Sequence, residues 1–307
     1  MKRSRLTPFP IAGLLLLALA GPATADRAIE EHLELSADGE LAVEILSGSL
    51  VIHGWDRPEL QIKGTVEDDV EDLEISGNGT RAWIEMDTEL SHGHSRGRVD
   101  LDVDLEIWMP ASARLEVDTL SAGIEVSGLA GSLELGSVSG QIIVSGAPAE
   151  LDAETVSGDV RLDGSGTRTG TPVSVETVSG NVVLRGVGGK IDASTVSGRI
   201  ELGAVAVVTD ADLETVSGSV SIEAALAPGA RVDVNSHSGS ITLRLPADTS
   251  ASFDISTFSG SVANDLGPAA QRIDRFGPGK ALEFSLGDGS AEVSVETFSG
   301  SVSLKRQ

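Results

Sequence analysis

Along much of this chain, side chains that favour burial occupy every second position in short bursts. Leu151, Ala153 and Thr155 form one burst, Val173, Val175 and Thr177 another, and Ala211, Leu213 and Thr215 a third. After a brief break the alternation resumes at Val160 and Leu162, Val182 and Leu184, or Val220 and Ile222. Asp152, Glu154, Glu176, Asp212 and Glu214 sit between them. Strict alternation puts one set of side chains on each face of an extended chain, so each burst predicts a half-buried β-strand. The bursts lack the three-to-four spacing of a helix.

The breaks are as regular as the bursts. Ser139–Gly140, Ser157–Gly158, Ser179–Gly180, Ser197–Gly198, Ser217–Gly218, Ser238–Gly239 and Ser259–Gly260 follow one another at a mean interval of 20 residues, and Ser299–Gly300 comes two periods later. Self-similarity at this period predicts a solenoid. Each Ser-Gly pair is expected to turn a corner, the glycine by taking a positive φ and the serine by bonding backbone exposed at the bend. Thr or Ser recurs two positions before the pair, which predicts a ladder of hydroxyls. The position after the pair varies (Gln141, Asp159, Asn181, Arg199), which predicts exposure. One winding alone buries too little apolar surface to offset the entropy of ordering some twenty residues, so windings must share their core with neighbours. Ten or so layers at about 4.8 Å each give a rod of roughly 45 Å.

Weaker copies extend the pattern. "TLSAGIEV" from Thr119 and "EILSGSLVI" from Glu44 keep the same parity, whereas the period lapses between Gly54 and Pro110. That interval holds Trp55, Trp83 and Trp108, and strands are expected at 59–65, 80–87 and 99–108. Its aromatics are expected to close an otherwise open end. Near the other end, "GPAAQRIDRFGPGKALEF" interrupts the array before the copy "VETFSGSVSL". The predicted fold is all-β: a parallel β-solenoid, right-handed β-helix-like, of about 20-residue rungs. It divides into a signal peptide at 1–25, an N-terminal β lobe at 26–110 that includes the first degenerate rung, and a repeat domain at 111–307.

The signal peptide rests on Lys2, Arg3 and Arg5, the apolar run "IAGLLLLALA", and small residues at Ala23 and Ala25, with cleavage expected before Asp26. The apolar run is too short for a comfortable membrane span, and no second one follows. Export to the periplasm or the cell exterior is expected. The 307 residues include no cysteine, which excludes a disulfide or a lipoprotein anchor. There are 47 acidic and 22 basic residues; without the leader the balance is 47 against 19, or −28. Such a surface repels nucleic acid and anionic lipid. It attracts cations and cationic peptides, although solubility alone is a plainer use for it. With no tyrosine, six Phe and three Trp, the chain is poor in the aromatic faces that sugars stack on.

The candidate chemistry is sparse. Stacked in register, Asp118, Glu154, Glu176, Glu214 and Glu296 fall into one column, with Ser194, Asn235 and Ser256 at equivalent positions. Carboxylates about 5 Å apart can hold Ca²⁺ or raise one another's pKa. The neutral interruptions favour a solvated face. The run Glu67, Asp68, Asp69, Glu71, Asp72 and Glu74 lacks the spacing of an EF-hand loop and suits a turn. His92 and His94 lack a nearby third ligand, which favours a hairpin tip over a metal clip. His237 takes the place of the apolar residue before Ser238 and suits a half-exposed corner. "GVGGK" from Gly186 lacks the spacing of a phosphate loop. Thr shares parity with the aliphatics and should point inward, which disfavours ice binding. No catalytic residue, metal ligand or cofactor site is assigned.

Three stretches, "SGSLVIHGWD" at 47–56, "IWMPASARLEVDTLSAGIEV" at 107–126 and the run of "TVSG" turns, resemble the bacterial "putative adhesin" β-strand-repeat proteins of domain-of-unknown-function family 4097. The resemblance covers nearly all of the chain beyond the leader. It implies an exported or cell-surface right-handed β-solenoid and, in some relatives, a link to envelope stress. It supplies no catalytic residues. The interruption at 266–280 departs from the pattern. The expected function is that of an exported noncatalytic scaffold or adhesin-like binding module for an envelope or surface ligand. A stress component that captures cationic peptides, and a polysaccharide-processing enzyme built on the same solenoid, are the alternatives.

Overall fold

The computed structural model describes residues 27–67, 73–86, 102–164, 171–203, 207–273 and 277–307. Among them every regular element is a strand. The irregular first part supplies β1 (Arg27–Ile45), β2 (Ser47–Trp55), β3 (Glu59–Val66), β4 (Leu73–Gly77), β5 (Gly79–Met86) and β6 (Asp102–Pro110). Paired strands follow, one before and one after each corner. They are β7 (Arg114–Thr119) and β8 (Gly123–Ser127), β9 (Ser132–Ser137) and β10 (Ile142–Ser145), then β11 (Glu150–Thr155) and β12 (Val160–Asp163). Next come β13 (Val173–Thr177) and β14 (Val182–Arg185), β15 (Gly189–Thr195) and β16 (Arg199–Gly203), and β17 (Val208–Ser217) and β18 (Ser219–Glu223). β19 (Leu226–Leu245) runs through its corner without a break, and β20 (Ala251–Thr257), β21 (Ser261–Asn264), β22 (Gln271–Arg272), β23 (Lys280–Leu286) and β24 (Ala291–Arg306) complete the chain.

Two parallel ladders result. The strands before the corners stack as one, the strands after them as the other, and the alternating side chains between the ladders form a single aliphatic core. Register is kept layer after layer: Val160 pairs with Val182, Val182 with Ile200, and Ile200 with Val220. In β11 and β12, Leu151, Ala153, Val160 and Leu162 are all buried, while Asp152, Glu154, Arg161 and Asp163 are exposed. The alternation therefore does in three dimensions what its period of two requires.

Layer order departs from chain order at both ends. β1 and β2 do not form the outermost layer, because β1 lies between β5 and β7, and β2 between β6 and β8, all in parallel. The last strand, β24, does not lie beyond β20 and β21 but slots between them and β19, pairing in parallel with both. Ser299–Gly300, two periods away in the sequence, sits directly against Ser238–Gly239. The pre-corner ladder thus runs β5, β1, β7, β9, β11, β13, β15, β17, β19, β24, β20, which is eleven parallel layers.

Antiparallel strands close both ends. β4 lies against β5, and β3 lies against β6 with the start of β1 on its far side. At the other end β23 covers β20, with Phe253 and Phe284 stacked at 4.6 Å, and β22 covers part of β23. These strands pair edges that would otherwise be open to other chains. The tryptophans do not plug the end as expected. Trp83 and Trp108 alternate with buried Ala82, Ile84, Ile107 and Met109, so they point outward, and Trp55 is half-buried at the end of β2 with its indole N–H donating to the Glu59 carbonyl. Closure comes from backbone pairing rather than from aromatic bulk.

Candidate binding face

The corners set the geometry of the outer surface. At each one the backbone stays in the ladder: the Ser139 N–H donates to the Leu120 carbonyl, Ser157 to Val138, Ser179 to Val156, Ser197 to Val178 and Ser217 to Val196. The hydroxyls expected two positions earlier are buried at the ends of the strands. The hydroxyl oxygens of Ser137, Thr155 and Thr177 accept from the N–H groups of Gly140, Gly158 and Gly180, so each stitches its own corner shut. Further along, the hydroxyls of Thr215, Ser236, Thr297 and Thr257 have no hydrogen-bond partner.

The corner glycines are needed for a different reason from the one the sequence suggested. Gly140, Gly158, Gly180, Gly198, Gly218, Gly260 and Gly300 are not among the glycines with positive φ. Each instead packs under the carbonyl of the neighbouring corner: a Cβ on Gly158 would lie 1.9 Å from the Gly140 oxygen, and one on Gly180 1.8 Å from that of Gly158. Close approach of stacked backbones excludes any side chain. Gly239 packs in the same way but does have positive φ, +158°, as does Gly48 at +113°, above which Ala122 stands at this place in its layer. Gln141, Asp159, Asn181 and Arg199, after their pairs, are exposed as expected, and Asp159 and Asn181 accept from the backbone N–H groups of Asn181 and Arg199 in the next layer.

The acid column forms in the predicted register. It runs Glu85, Glu44, Asp118, Gly136, Glu154, Glu176, Ser194, Glu214, Asn235, Glu296 and Ser256. A second column lies beside it, with Glu116, Glu134, Asp152, Ser174, Asp192, Asp212 and Asp233 in succession. Partial burial, followed by the charges of Glu134 and Glu150, raises the pKa of Asp152. Partial burial, followed by Glu214, Asp192, Asp233 and Asp210, does the same for Asp212. Among the described residues no three His, Asp or Glu side chains converge to hold a metal ion. The expectations placed on Asp68, Asp69, Glu71, Asp72, His92 and His94 lie outside the described residues, as does the leader.

Next to the acids runs a feature that the repeat pattern held but the alternation hid. The residue after each buried Thr or Ser points outward and is apolar: Leu120, Val138, Val156, Val178, Val196, Val216, Phe298 and Phe258 are each 42–58% exposed. His237 occupies the same column between Val216 and Phe298. With half-buried Leu46 at one end, the ridge has ten positions in adjacent layers, or about 43 Å at about 4.8 Å per layer. The signal was a second apolar residue immediately after Thr in copy after copy, where alternation calls for a polar one.

Toward the C-terminal end the ridge becomes aromatic and is walled. The ring of His237 stacks on Phe298 at 5.0 Å, and Phe298 on Phe258 at 4.9 Å, both pairs nearly parallel. Ile273 stands beside them, and a groove of about 660 Å³ opens between this row and the acid column. Glu214, Asn235 and Glu296 line its polar side, and Thr215, Ser236, Thr297 and Thr257 lie along its floor with their unpartnered hydroxyls buried beneath it.

Fold and surface together define a capped parallel β-solenoid that displays an apolar ridge beside columns of carboxylates. The chain belongs to the Toastrack DUF4097 family, whose sequence profile matches residues 60–236. Several solved structures are similar to this chain at low identity. A "putative lipid binding protein" from Parabacteroides distasonis is similar at 13% identity and a TM-score of 0.51, over 90% of this chain and 96% of that one. A "putative adhesin" from Bacteroides fragilis is similar at 11% identity and 0.44, over 92% of this chain and 100% of that one. A "putative adhesin" from Parabacteroides distasonis is similar at 10% and 0.41, over 91% and 98%. No functionally curated protein matches the sequence.

Proposed function

We propose that this protein is an exported, noncatalytic binding scaffold of the bacterial envelope, adhesin-like in that it presents one long face to a ligand. The observation that carries this reading is the ridge: nine adjacent layers, from Leu120 to Phe258, expose an apolar or imidazole side chain at one position. Contiguous exposed apolar surface with a polar rim is the usual mark of an interaction site. The neighbouring acids lie on the same open sheet face, an arrangement suited to recognition and solubility. Export rests on the leader pattern at residues 1–25.

The test is retention on a panel of immobilised envelope polymers and matrix proteins, run with wild type and with the triple variant Val156→Ser, Val178→Ser, Val196→Ser. Retention of at least one panel member that the variant loses is expected. Retention of none, or equal retention by both proteins, overturns the reading. Cell fractionation checks the compartment, and finding the chain with its leader intact in the cytoplasm would defeat the export claim.

A further inference from the structure

Resting on that reading of the ridge, we infer that the groove walled by Ile273 takes the apolar face of a cationic amphipathic helix.

The backbone at this face has little to offer a ligand. At Phe258 and Ser259, N–H groups donate to the carbonyls of Thr297 and Phe298 in the next layer, so the corner's donors are already engaged within the array. Strand addition at the ridge is therefore closed off, and a partner must dock through side chains, which is how helices bind grooves. The spacing fits a helix lying along the ridge. One turn advances about 5.4 Å against about 4.8 Å per layer, so three turns keep step with three layers to within about 2 Å. Apolar residues at i, i+3, i+7 and i+10, at about 0, 4.5, 10.5 and 15 Å along the helix axis, then meet Val216, His237, Phe298 and Phe258 in succession, at about 0, 4.8, 9.6 and 14.4 Å.

The polar side fixes the sign of the partner. Glu214 and Glu296 are two layers apart, with Asn235 between them, and both line the groove. Two layers span about 9.6 Å, and residues i and i+7 of a helix lie about 10.5 Å apart along its axis. Lys or Arg at those positions would meet both carboxylates. A second copy of this chain would bring its own acid columns against these and carries a net charge of −25, so self-association on this face is opposed. The same charge opposes an anionic lipid surface.

The probe is a fluorescently labelled, 15-residue helical peptide with leucines at i, i+3, i+7 and i+10 and lysines flanking them seven apart, titrated by anisotropy. Saturable 1:1 binding is expected. Phe298→Ser should weaken it about tenfold or more, as loss of a central aromatic anchor does. The pair Glu214→Gln, Glu296→Gln should weaken it severalfold and flatten its salt dependence. Val183→Ser and Glu201→Gln, neighbours on the outer face of the post-corner ladder and away from both ridge and groove, should leave it unchanged, and circular dichroism checks that each variant is folded. Absence of binding overturns the inference, as does equal binding of a peptide with Glu in place of Lys, or groove variants that bind like wild type. Phosphatidylglycerol vesicles that bind and lose binding on Phe298→Ser overturn it in favour of a lipid. A dimer in sedimentation that Phe298→Ser dissociates overturns it in favour of self-assembly. If the panel ligands still bind through Val156, Val178 and Val196 while the peptide does not, only this inference falls. If neither binds, the wider reading of the ridge falls as well.

Discussion

At the corner glycines the margin for change is smaller than a methyl group. An added Cβ at Gly180 meets a backbone oxygen that belongs to the next layer, and neither backbone can yield without breaking ladder hydrogen bonds on both sides. Gly180→Ala is therefore expected to cost about 1–3 kcal/mol or more, the usual penalty of overpacking, read from chemical denaturation. Gly123→Ala, where no atom lies within 4 Å of the added Cβ, is expected to be neutral. The buried hydroxyls make a paired test of the same kind. Thr177→Val leaves the Gly180 N–H without its acceptor and should cost about 1–3 kcal/mol. Thr297→Val removes a hydroxyl that has no partner and should be neutral or stabilising. Equal losses for the two threonines would show that the hydroxyl ladder does not act through the corner hydrogen bond.

Between strands, partial burial of Asp212 and then the carboxylates around it, Glu214 first, carry a sign that can be worked out. The folded pKa of Asp212 is raised, so folding takes up protons over a window above the ordinary carboxylate value, and stability falls as pH rises through it. Asp212→Asn should therefore raise stability at neutral pH by about 0.2–1 kcal/mol, the range for cross-strand side-chain pairs. The gain should shrink both on acidification through that window and on added salt. The same scale governs the interleaved ends. Deleting residues 290–307 removes β24 and leaves β19 facing β20 across a strand-wide gap. Fast amide exchange is expected at 231–245 and 251–264 in the truncated protein, and a synthetic peptide of residues 290–307 should restore protection. Parity, period and register were legible in the sequence because burial repeats every two residues and every layer repeats its neighbour, as Val160, Val182 and Val220 show. The slots of β1 and β24 were not legible. A strand such as "VETFSGSVSL" satisfies the pattern in any layer, and its place is settled by the antiparallel strands that cap β5, β6 and β20.

For the whole molecule, the apolar content concentrates into one continuous core while the charge spreads over its outside. Self-repulsion from a net charge of −25 opposes compaction, so moderate salt should raise the melting temperature, by about 2–4 °C per kcal/mol of repulsion relieved. A melting temperature that falls with salt would mean that ion pairs such as Arg185–Glu201 outweigh the repulsion. The groove was the least legible part of the surface. Its aromatic row is encoded by copies distant in the chain, His237, Phe258 and Phe298, which become neighbours only because β24 enters between the other two. Ile273, its wall, comes from the segment where periodicity fails.

The tucked-in last strand also restricts how such a protein can lengthen over generations. A solenoid with free ends grows by tandem duplication at either terminus, each new unit stacking on the last. Here a unit appended after β24 would emerge from within the stack, flanked on both sides and with no vacant edge to join, whereas one added before β1 would begin at the outer edge of the first cap, where the start of β1 covers β3. Copies cannot be added beyond the last strand, so variation in size should fall among the windings before β19 and spare β20 to β24.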